Sequence, residues 1–265
     1  MQTLVRRAAA AVNSGKPDEA QRLCEQGLAR DPDDPVLHHL LAAVLFSRGV
    51  ISLARAHIDV SLAKRPNNAP ARLLAARIAR SEGQFDAALA HLDAAIATSP
   101  QREMFVEKAR TLDMAGLRDQ ARAAWQAILR VIPGHQEATA QLGRIAWEDG
   151  DAATAASLLA QATATDAPAS VWFNLGLARQ DLRDHAGAAS AYRKAFALKP
   201  DHAEAALNLG ISLQGAGELD TAMDAFGKAY RLRPQLFGSI SMALTSASHG
   251  RLWLDEDGLR RALSG

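Results

Sequence analysis

The chain has 265 residues, of which 48% are hydrophobic, so it is long enough and apolar enough to bury a large core. Its 30 basic and 29 acidic residues give a net charge of +1. This balance argues against a nucleic-acid-binding or membrane-surface protein, because those classes normally carry a basic face. The single cysteine, Cys24, excludes an internal disulfide bond and a cysteine metal cluster.

Prolines recur along the chain at a nearly constant step. The gaps between them are 34, 34, 33, 67 and 34 residues, where 67 is a doubled step whose missing mark lies near Pro168. A fixed step of this length predicts an array of structural repeats. The marking residues are Pro32, Pro66, Pro100, Pro133, Pro200 and Pro234. The predicted repeats span residues 1–34, 35–68, 69–101, 102–135, 136–168, 169–202 and 203–236.

Three positions, counted from the first residue of each repeat, carry side chains of a set size. Position 8 is always alanine or glycine, and position 20 is always alanine. Position 24 is mostly larger, and its residues are Cys24, Ile58, Leu92, Trp125, Leu159, Tyr192 and Phe226. A larger residue at a close helix crossing costs roughly 1–3 kcal/mol. The pattern therefore predicts two paired helices per repeat that cross closest at positions 8 and 20, with position 24 filling the space before the next repeat.

Turn signals separate the two helices of most repeats. Glycine favours the left-handed backbone that such a turn needs. The turn residues are Gly49, Gly83, Gly116, Gly150 and Gly217. The small, polar stretch from Gln161 to Pro168 predicts an irregular joint.

The pattern decays after Pro234. We predict a C-terminal capping helix pair over residues 237–265, with helices at 237–248 and 254–263. Gly250 fits the turn between them, Asp255 the N-cap of the second helix, and Trp253 an inward-facing position. A recognition element, or the start of a joint to a further segment, is the alternative for this region.

One stretch carries a family resemblance. Trp172, Leu175 and Gly176 are followed in order by Ala188, Tyr192, Ala195 and Pro200. This order resembles the tetratricopeptide repeat, whose unit is 34 residues long, and the chain resembles a bacterial-type multi-repeat member of that family. The resemblance implies an all-α, right-handed superhelical solenoid of helix-turn-helix hairpins with C-terminal capping helices. It also implies that positions 2, 5, 6, 9, 12 and 13 of the first helix line a concave groove that commonly binds peptides.

Two rows of polar residues fall on the wall that the resemblance defines. Position 6 holds Gln141, Asn174 and Asn208, and family members that bind peptide backbones use asparagines there. An amide suits a main chain because it donates and accepts at once; the alternative is a solvated side chain without a ligand.

Position 9 holds Arg77, Arg110 and Arg144, which could fork onto the carboxylates of an acidic peptide. The alternative is that they pair with acidic residues of the same wall, which are Glu103, Glu107, Asp113, Glu137 and Glu148. The two-carboxylate clamp of chaperone-binding relatives is incomplete, because Ala9 stands at one of its places.

Signatures of catalysis and metal binding are absent from the sequence. No two histidines stand four residues apart, and neither a glycine-rich phosphate loop nor a G-x-S-x-G elbow occurs. We therefore expect no enzyme activity, no cofactor and no metal. No apolar run reaches about 18 residues. Arg6 and Arg7 precede an apolar run that is too short for a secretory signal, which indicates a cytoplasmic protein without a membrane span.

The sequence thus predicts a non-catalytic scaffold or adaptor that binds a peptide or a partner helix in its groove. One alternative is the targeting or regulatory domain of a larger or associated enzyme, such as a transferase or an oxygenase. Another is a self-assembly module that forms homo-oligomers by stacking its end repeats.

Overall fold

The computed structural model describes residues 2–246 and 256–264. Within these residues the regular secondary structure is entirely helical, which confirms the prediction of an all-α fold built from helix-turn-helix hairpins with C-terminal capping helices. A 3₁₀ turn, Pro234–Leu236, precedes the last two helices. The sixteen α-helices of the described residues are α1 (Gln2–Asn13), α2 (Pro17–Leu28), α3 (Pro35–Ser47), α4 (Ile51–Lys64), α5 (Ala69–Ser81), α6 (Phe85–Thr98), α7 (Arg102–Met114), α8 (Arg118–Val131), α9 (Gln136–Glu148), α10 (Ala152–Ala162), α11 (Ala169–Asp181), α12 (His185–Leu198), α13 (Ala203–Gly215), α14 (Leu219–Leu232), α15 (Phe237–Ser246) and α16 (Glu256–Ser264).

The chain forms two compact units, Met1–Ala124 and Trp125–Gly265. In the first unit α1 packs on α2, α3 on α4 and α5 on α6, and each pair contacts the first helix of the next. The second unit repeats this arrangement with α9 on α10, α11 on α12 and α13 on α14. First helices also touch their counterparts in the next repeat, as α5 touches α7 and α9 touches α11. Each unit is therefore a stack of hairpins in which contacts run between neighbours.

The three size-restricted positions form the centre of each hairpin, as predicted. The alanines at position 20 and the residues at position 24 are at most 1% exposed. The close approach at position 8 differs from expectation in its partner, which is position 24 of the same repeat. A Cβ added to Gly176 would lie 2.5 Å from the Tyr192 ring, and one added to Gly210 would lie 2.6 Å from the Phe226 ring. Position 24 therefore fills space within its own hairpin, and the rings of Tyr192 and Phe226 each lie against a glycine.

The turn between the two helices takes a left-handed backbone at position 15 in every predicted repeat. Glycine supplies it six times, with φ between 64° and 85°. In the sixth repeat Arg183 adopts φ 58° instead. The predicted turn geometry is confirmed, and Arg183 shows that the turn forms even where a side chain disfavours it.

The joint between α10 and α11 is irregular, as the sequence predicts. Helix α10 has 11 residues, whereas α12 and α14 each have 14. The Gln136 side chain packs against the C-terminal end of α10. Its Nε2 donates to the backbone oxygens of Ala162 (2.9 Å) and Thr165 (3.0 Å). A side-chain amide thus satisfies carbonyl groups that a longer helix would have paired.

Helix α16 covers part of α14 at the C-terminal end. Leu259 and Leu263 are buried in the same apolar cluster as Phe226 and Phe237. Arg231 Nη1 donates to the backbone oxygen of Leu263 at 3.0 Å, so a cation also meets the C-terminal end of α16. The predicted roles of Gly250, Trp253 and Asp255 lie outside the described residues.

Among the described residues, no helix is long and apolar enough to cross a membrane. No group of three or more histidine, cysteine, aspartate or glutamate side chains among them is placed to hold a metal ion.

Candidate functional site

A cavity of about 270 Å³ opens on the first helices of the N-terminal unit, and we call it the N-terminal groove. It lies where α3, α5 and α7 stand side by side, with the apolar side chains of Leu73, Leu74 and Met104 in its lining. Polar groups from His39, Arg77, Gln101 and Glu103 complete the lining, together with Ala43 and Pro70. Most of these residues occupy the positions that the family resemblance assigns to the concave wall. The groove therefore places apolar and polar side chains next to each other on one wall.

An ionic cluster centred on Glu107 borders this groove. The Glu107 side chain is only 4% exposed, and its Oε1 accepts from Arg77 Nε at 3.2 Å and from Arg77 Nη2 at 3.0 Å. Arg110 Nη1 donates to the same oxygen at 3.1 Å, and Arg80 Nη1 donates to Oε2. Arg77 also donates to Glu103, which lies nearer the solvent. One buried carboxylate thus holds three arginines of two adjacent first helices.

Titration of Glu107 reflects two opposing effects. Burial acts to raise the pKa of the carboxyl group, whereas the guanidinium groups of Arg80 and Arg77 act to lower it. The arginines prevail, and the pKa of Glu107 lies below its usual value. The cluster is therefore ionised near neutral pH, and Glu107 fixes the direction of the Arg77 guanidinium by accepting from two of its nitrogens.

The second polar row lies in the C-terminal unit, and we call Gln141, Asn174 and Asn208 the amide row. They stand on α9, α11 and α13, and all three are partly exposed. Gln141 Oε1 accepts from Arg144 Nε at 3.0 Å, while Arg144 also pairs with Glu148. Because the Gln141 oxygen accepts from Arg144, the Nε2 group is the part of this amide that can donate to a ligand.

The other two amides differ in how the protein uses them. The Tyr192 hydroxyl donates to Gln180 Oε1 at 2.9 Å, and Asn208 acts on the same hydroxyl to lower its pKa. Burial raises the pKa of Tyr192, so this hydroxyl stays protonated at neutral pH. The side chain of Asn174 makes no hydrogen bond to any residue that the structure describes. Asn174 therefore keeps both its donor and its acceptor for a ligand or for water.

Aromatic side chains near the amide row make two contacts that the sequence did not predict. Trp147 Nε1 donates to Asp181 Oδ2 at 2.7 Å and so ties α9 to α11. The Phe173 ring stacks on His202, with 4.7 Å between centroids. Asn174 follows Phe173 directly in α11, so this stacking also fixes the backbone that carries the amide.

The structure thus brings the predicted residues together in two separate sets. Arg77 and Arg110 meet on Glu107 in the N-terminal unit, and Arg144 joins Gln141 in the C-terminal unit. The pairing of these arginines with carboxylates of their own wall matches the alternative left open by the sequence. Binding of a peptide by the three arginines and by the amide row stays a prediction.

The sequence predicted a peptide-binding wall at positions 2, 5, 6, 9, 12 and 13, but it did not select this part of the wall as the site. His39, Pro70 and Met104 line it, and sequence reasoning did not single them out. The sequence did carry a signal for this site. Position 5 is His39 in the second repeat and Leu73 in the third, and position 2 of the third repeat is Pro70. Such residues on an inward-facing wall indicate an apolar lining rather than a solvated face.

Solved structures of other proteins share this arrangement of helical hairpins. One chain of the crystal structure of the APC/C hetero-tetramer Cut9-Hcn1 is similar over 97% of this chain and 48% of its own length, with a TM-score of 0.67 at 18% identity. YrrB, described as a tetratricopeptide repeat protein with an unusual peptide-binding site, matches 69% of this chain and 95% of its own, with a TM-score of 0.54 at 20% identity. At such identities the likeness shows the fold alone, which is that of a stack of helical repeats.

Matches to family models identify the protein family of the chain. Models described as tetratricopeptide repeat match residues 11–78, 106–170 and 173–236, which together make up most of the sequence. The chain belongs to the tetratricopeptide repeat family. Tetratricopeptide repeat protein 8 of Caenorhabditis elegans is 39% identical over 77 residues, which are 29% of this chain and 15% of that protein. The chain therefore matches only a small part of the length of this relative.

Proposed function

We propose that the chain is a non-catalytic, cytoplasmic scaffold that holds an extended peptide or a partner helix against the first helices of its repeats. Its family generally mediates protein–protein interaction, and YrrB is described as having a peptide-binding site. The proposal includes seven repeats over residues 1–236 and a capping pair over 237–265. The observation that carries it is the amide row, in which Asn174 is partly exposed and lacks a hydrogen-bond partner among the described residues.

Each member of the amide row would contribute differently to binding a peptide backbone. Asn174 can donate to a carbonyl group and accept from an N–H group at the same time. Gln141 would act as a donor, because Arg144 occupies its oxygen. Asn208 would offer its amide to the ligand next to the Tyr192 hydroxyl, whose pKa it acts to lower. Since all of these contacts would reach main-chain atoms, the row would bind peptides of varied sequence.

The arginines would add selection by charge. Arg144 would act through Gln141 by orienting its amide, and Arg110 would act through Glu107. Arg77 lines the N-terminal groove and is the arginine best placed to meet a ligand directly.

A peptide library tests the proposal without knowledge of the natural partner. Random dodecapeptides displayed on phage would be selected on the immobilised full chain, and the affinities of the selected peptides would be measured by fluorescence anisotropy. We expect Asn174→Ala combined with Asn208→Ala to weaken binding by about tenfold, because two hydrogen bonds of roughly 0.5–1.5 kcal/mol each are lost.

The matched control is Gln161→Ala, which removes an exposed amide from the second helix α10. Its affinity should equal that of the wild type. An unchanged affinity in the double variant would contradict the role of the amide row, and a library that yields no binding peptide would contradict the proposed function itself.

Two other functions remain predictions. A role as the targeting domain of a transferase or an oxygenase would be tested by the reading frame that encodes this chain and its neighbours. Self-assembly through the end repeats would be tested by sedimentation at several concentrations. At the C-terminal end, Leu259 and Leu263 already cover part of α14, which argues against stacking through that face.

A further inference from the structure

We propose that Arg77 binds a ligand carboxylate at the edge of the N-terminal groove, and that Glu103 takes the place of that carboxylate in the free protein. This inference rests on the proposed function and narrows its ligand. The fitting peptide carries an aliphatic side chain that enters the groove and an aspartate or glutamate close to it in sequence, which pairs with Arg77.

Arg77 contacts two carboxylates whose surroundings differ. Glu107 is 4% exposed and accepts from both Nε and Nη2, at 3.2 and 3.0 Å. The Glu103 side chain is 58% exposed and accepts from Nη2. Glu107 therefore acts as the fixed support that aims the guanidinium, and Glu103 is the exchangeable partner.

Exchange of Glu103 for a ligand carboxylate changes little in electrostatic free energy. A largely exposed ion pair contributes little net stabilisation, because water solvates both charges well. The ligand carboxylate restores the same charge-assisted hydrogen bond. Binding free energy must then come from elsewhere, and the neighbouring cavity is the source.

The cavity adjoins Arg77 directly. Leu73 and Leu74 each present a small apolar surface to it, the fully buried Met104 lies beneath, and Ala43 leaves space on the side of α3. An aliphatic side chain that enters this space loses contact with water, which favours binding in proportion to the apolar area removed. The arrangement thus selects an apolar residue near an acidic one, while Arg77 and Glu103 determine the charge preference.

Affinities of a matched peptide pair test this inference. The strongest acidic peptide selected from the random dodecapeptide library would be compared with a counterpart in which its acidic residue is replaced by the corresponding amide. The wild-type chain should prefer the acidic peptide. Glu103→Gln should bind the acidic peptide about three- to tenfold more tightly and leave the counterpart unchanged, because it removes the internal competitor. Arg77→Met should bind both peptides equally.

A second variant guards against disturbance of the fold by Arg77→Met. Ala43→Phe fills the cavity and leaves every charge in place, so it should weaken binding of both peptides more than tenfold with an unchanged circular dichroism spectrum. The inference is overturned if Glu103→Gln leaves the acidic peptide's affinity equal or weaker, if Arg77→Met keeps the acidic preference, or if Ala43→Phe binds normally.

Outcomes for the two proposals are separable. Weak binding by the Asn174 and Asn208 double variant, without any of the effects at Glu103, Arg77 and Ala43, would keep the proposed function and remove this inference. Selection of peptides without acidic residues would do the same. Failure to select any peptide would remove both.

Discussion

At the residue scale, the fit between positions 8 and 24 is the feature most sensitive to a single methyl group. Gly210→Ala places a Cβ 2.6 Å from the Phe226 ring, and the ring cannot move far because Phe226 is fully buried. Overpacking costs roughly 1–3 kcal/mol, while alanine gains about 1 kcal/mol over glycine in a helix. We therefore expect a net loss of up to about 2 kcal/mol in the free energy of unfolding, measured by urea denaturation.

A second substitution, at Phe226, should cancel the loss of stability caused by Gly210→Ala. In the repeats with Ala42 and Ile58, and with Ala76 and Leu92, alanine faces an aliphatic residue. Phe226→Leu should therefore make Gly210→Ala neutral or stabilising. Gly238→Ala, which meets no atom within 4 Å, is the control and should not destabilise. Equal losses from Gly210→Ala with and without Phe226→Leu would refute the steric explanation.

Three histidines of the N-terminal unit should make the free energy of unfolding fall as the pH is lowered. Burial lowers the pKa of His39 and His91 below the usual 6.5, and burial together with the charge of His38 lowers that of His57. The unfolded chain then binds protons more readily than the folded chain below pH 6.5. The contribution is fully present above pH 6.5 and is lost as pH falls through the folded-state pKa values.

We expect the free energy of unfolding to decrease between pH 7.5 and pH 5.5, as measured by urea denaturation. This window lies above the usual pKa of 4.5 for Glu107, so that carboxyl group does not contribute. His39→Gln should reduce the slope, since glutamine does not titrate. A slope that is unaffected by this substitution would show that His39 is not among the groups responsible.

At the scale of the helical hairpin, the turn between α11 and α12 stores a small strain. Arg183 has a left-handed backbone, which costs an L-residue roughly 1–2 kcal/mol, whereas glycine adopts it readily. Arg183→Gly should raise the free energy of unfolding by about 0.5–1 kcal/mol, since the greater freedom of glycine in the unfolded chain offsets part of the gain.

The converse substitution is Gly150→Ala in the turn between α9 and α10, where φ is 83°. It should destabilise by about 1 kcal/mol. Thermal denaturation of the two variants beside the wild type provides the check. A loss of stability in Arg183→Gly would mean that the arginine side chain stabilises the turn by more than its backbone costs.

Elements were predictable from the sequence to the extent that the repeat register determined them. The buried positions 8, 20 and 24, the turn glycines and the irregular joint after Gln161 all follow from residue size and backbone preference, which are local properties. The partner of position 8 was missed, because it depends on the direction of the Tyr192 and Phe226 side chains across the hairpin.

The candidate site was only partly predictable for a similar reason. Register placed Asn174 and Arg77 on first helices, but the sequence left open whether the arginines pair within the protein. The answer depends on Glu107 reaching Arg77 from a helix 30 residues further along. Whether side chains of neighbouring repeats meet or leave a cavity is decided by packing in three dimensions, and no single repeat encodes it.

At the scale of the whole molecule, the described hairpins of each unit contact chiefly their neighbours, so we expect destabilisation to stay local. Gly210→Ala should accelerate amide hydrogen exchange in α13 and α14 and leave protection in α3 to α6 unchanged. Mass spectrometry of peptide fragments would show this distribution. A uniform loss of protection over all helices would instead indicate that the chain unfolds as one cooperative body.

The central claim is that a peptide binds along the first helices through their side-chain amides. The most direct measurement is the two-dimensional NMR spectrum of the ¹⁵N-labelled chain, recorded as a library-selected peptide is added. We predict that the side-chain NH₂ resonances of Asn174 and Asn208 shift in proportion to occupancy while that of Gln161 on α10 stays in place. Shifts confined to the second helices, with Asn174 and Asn208 unmoved, would contradict the claim.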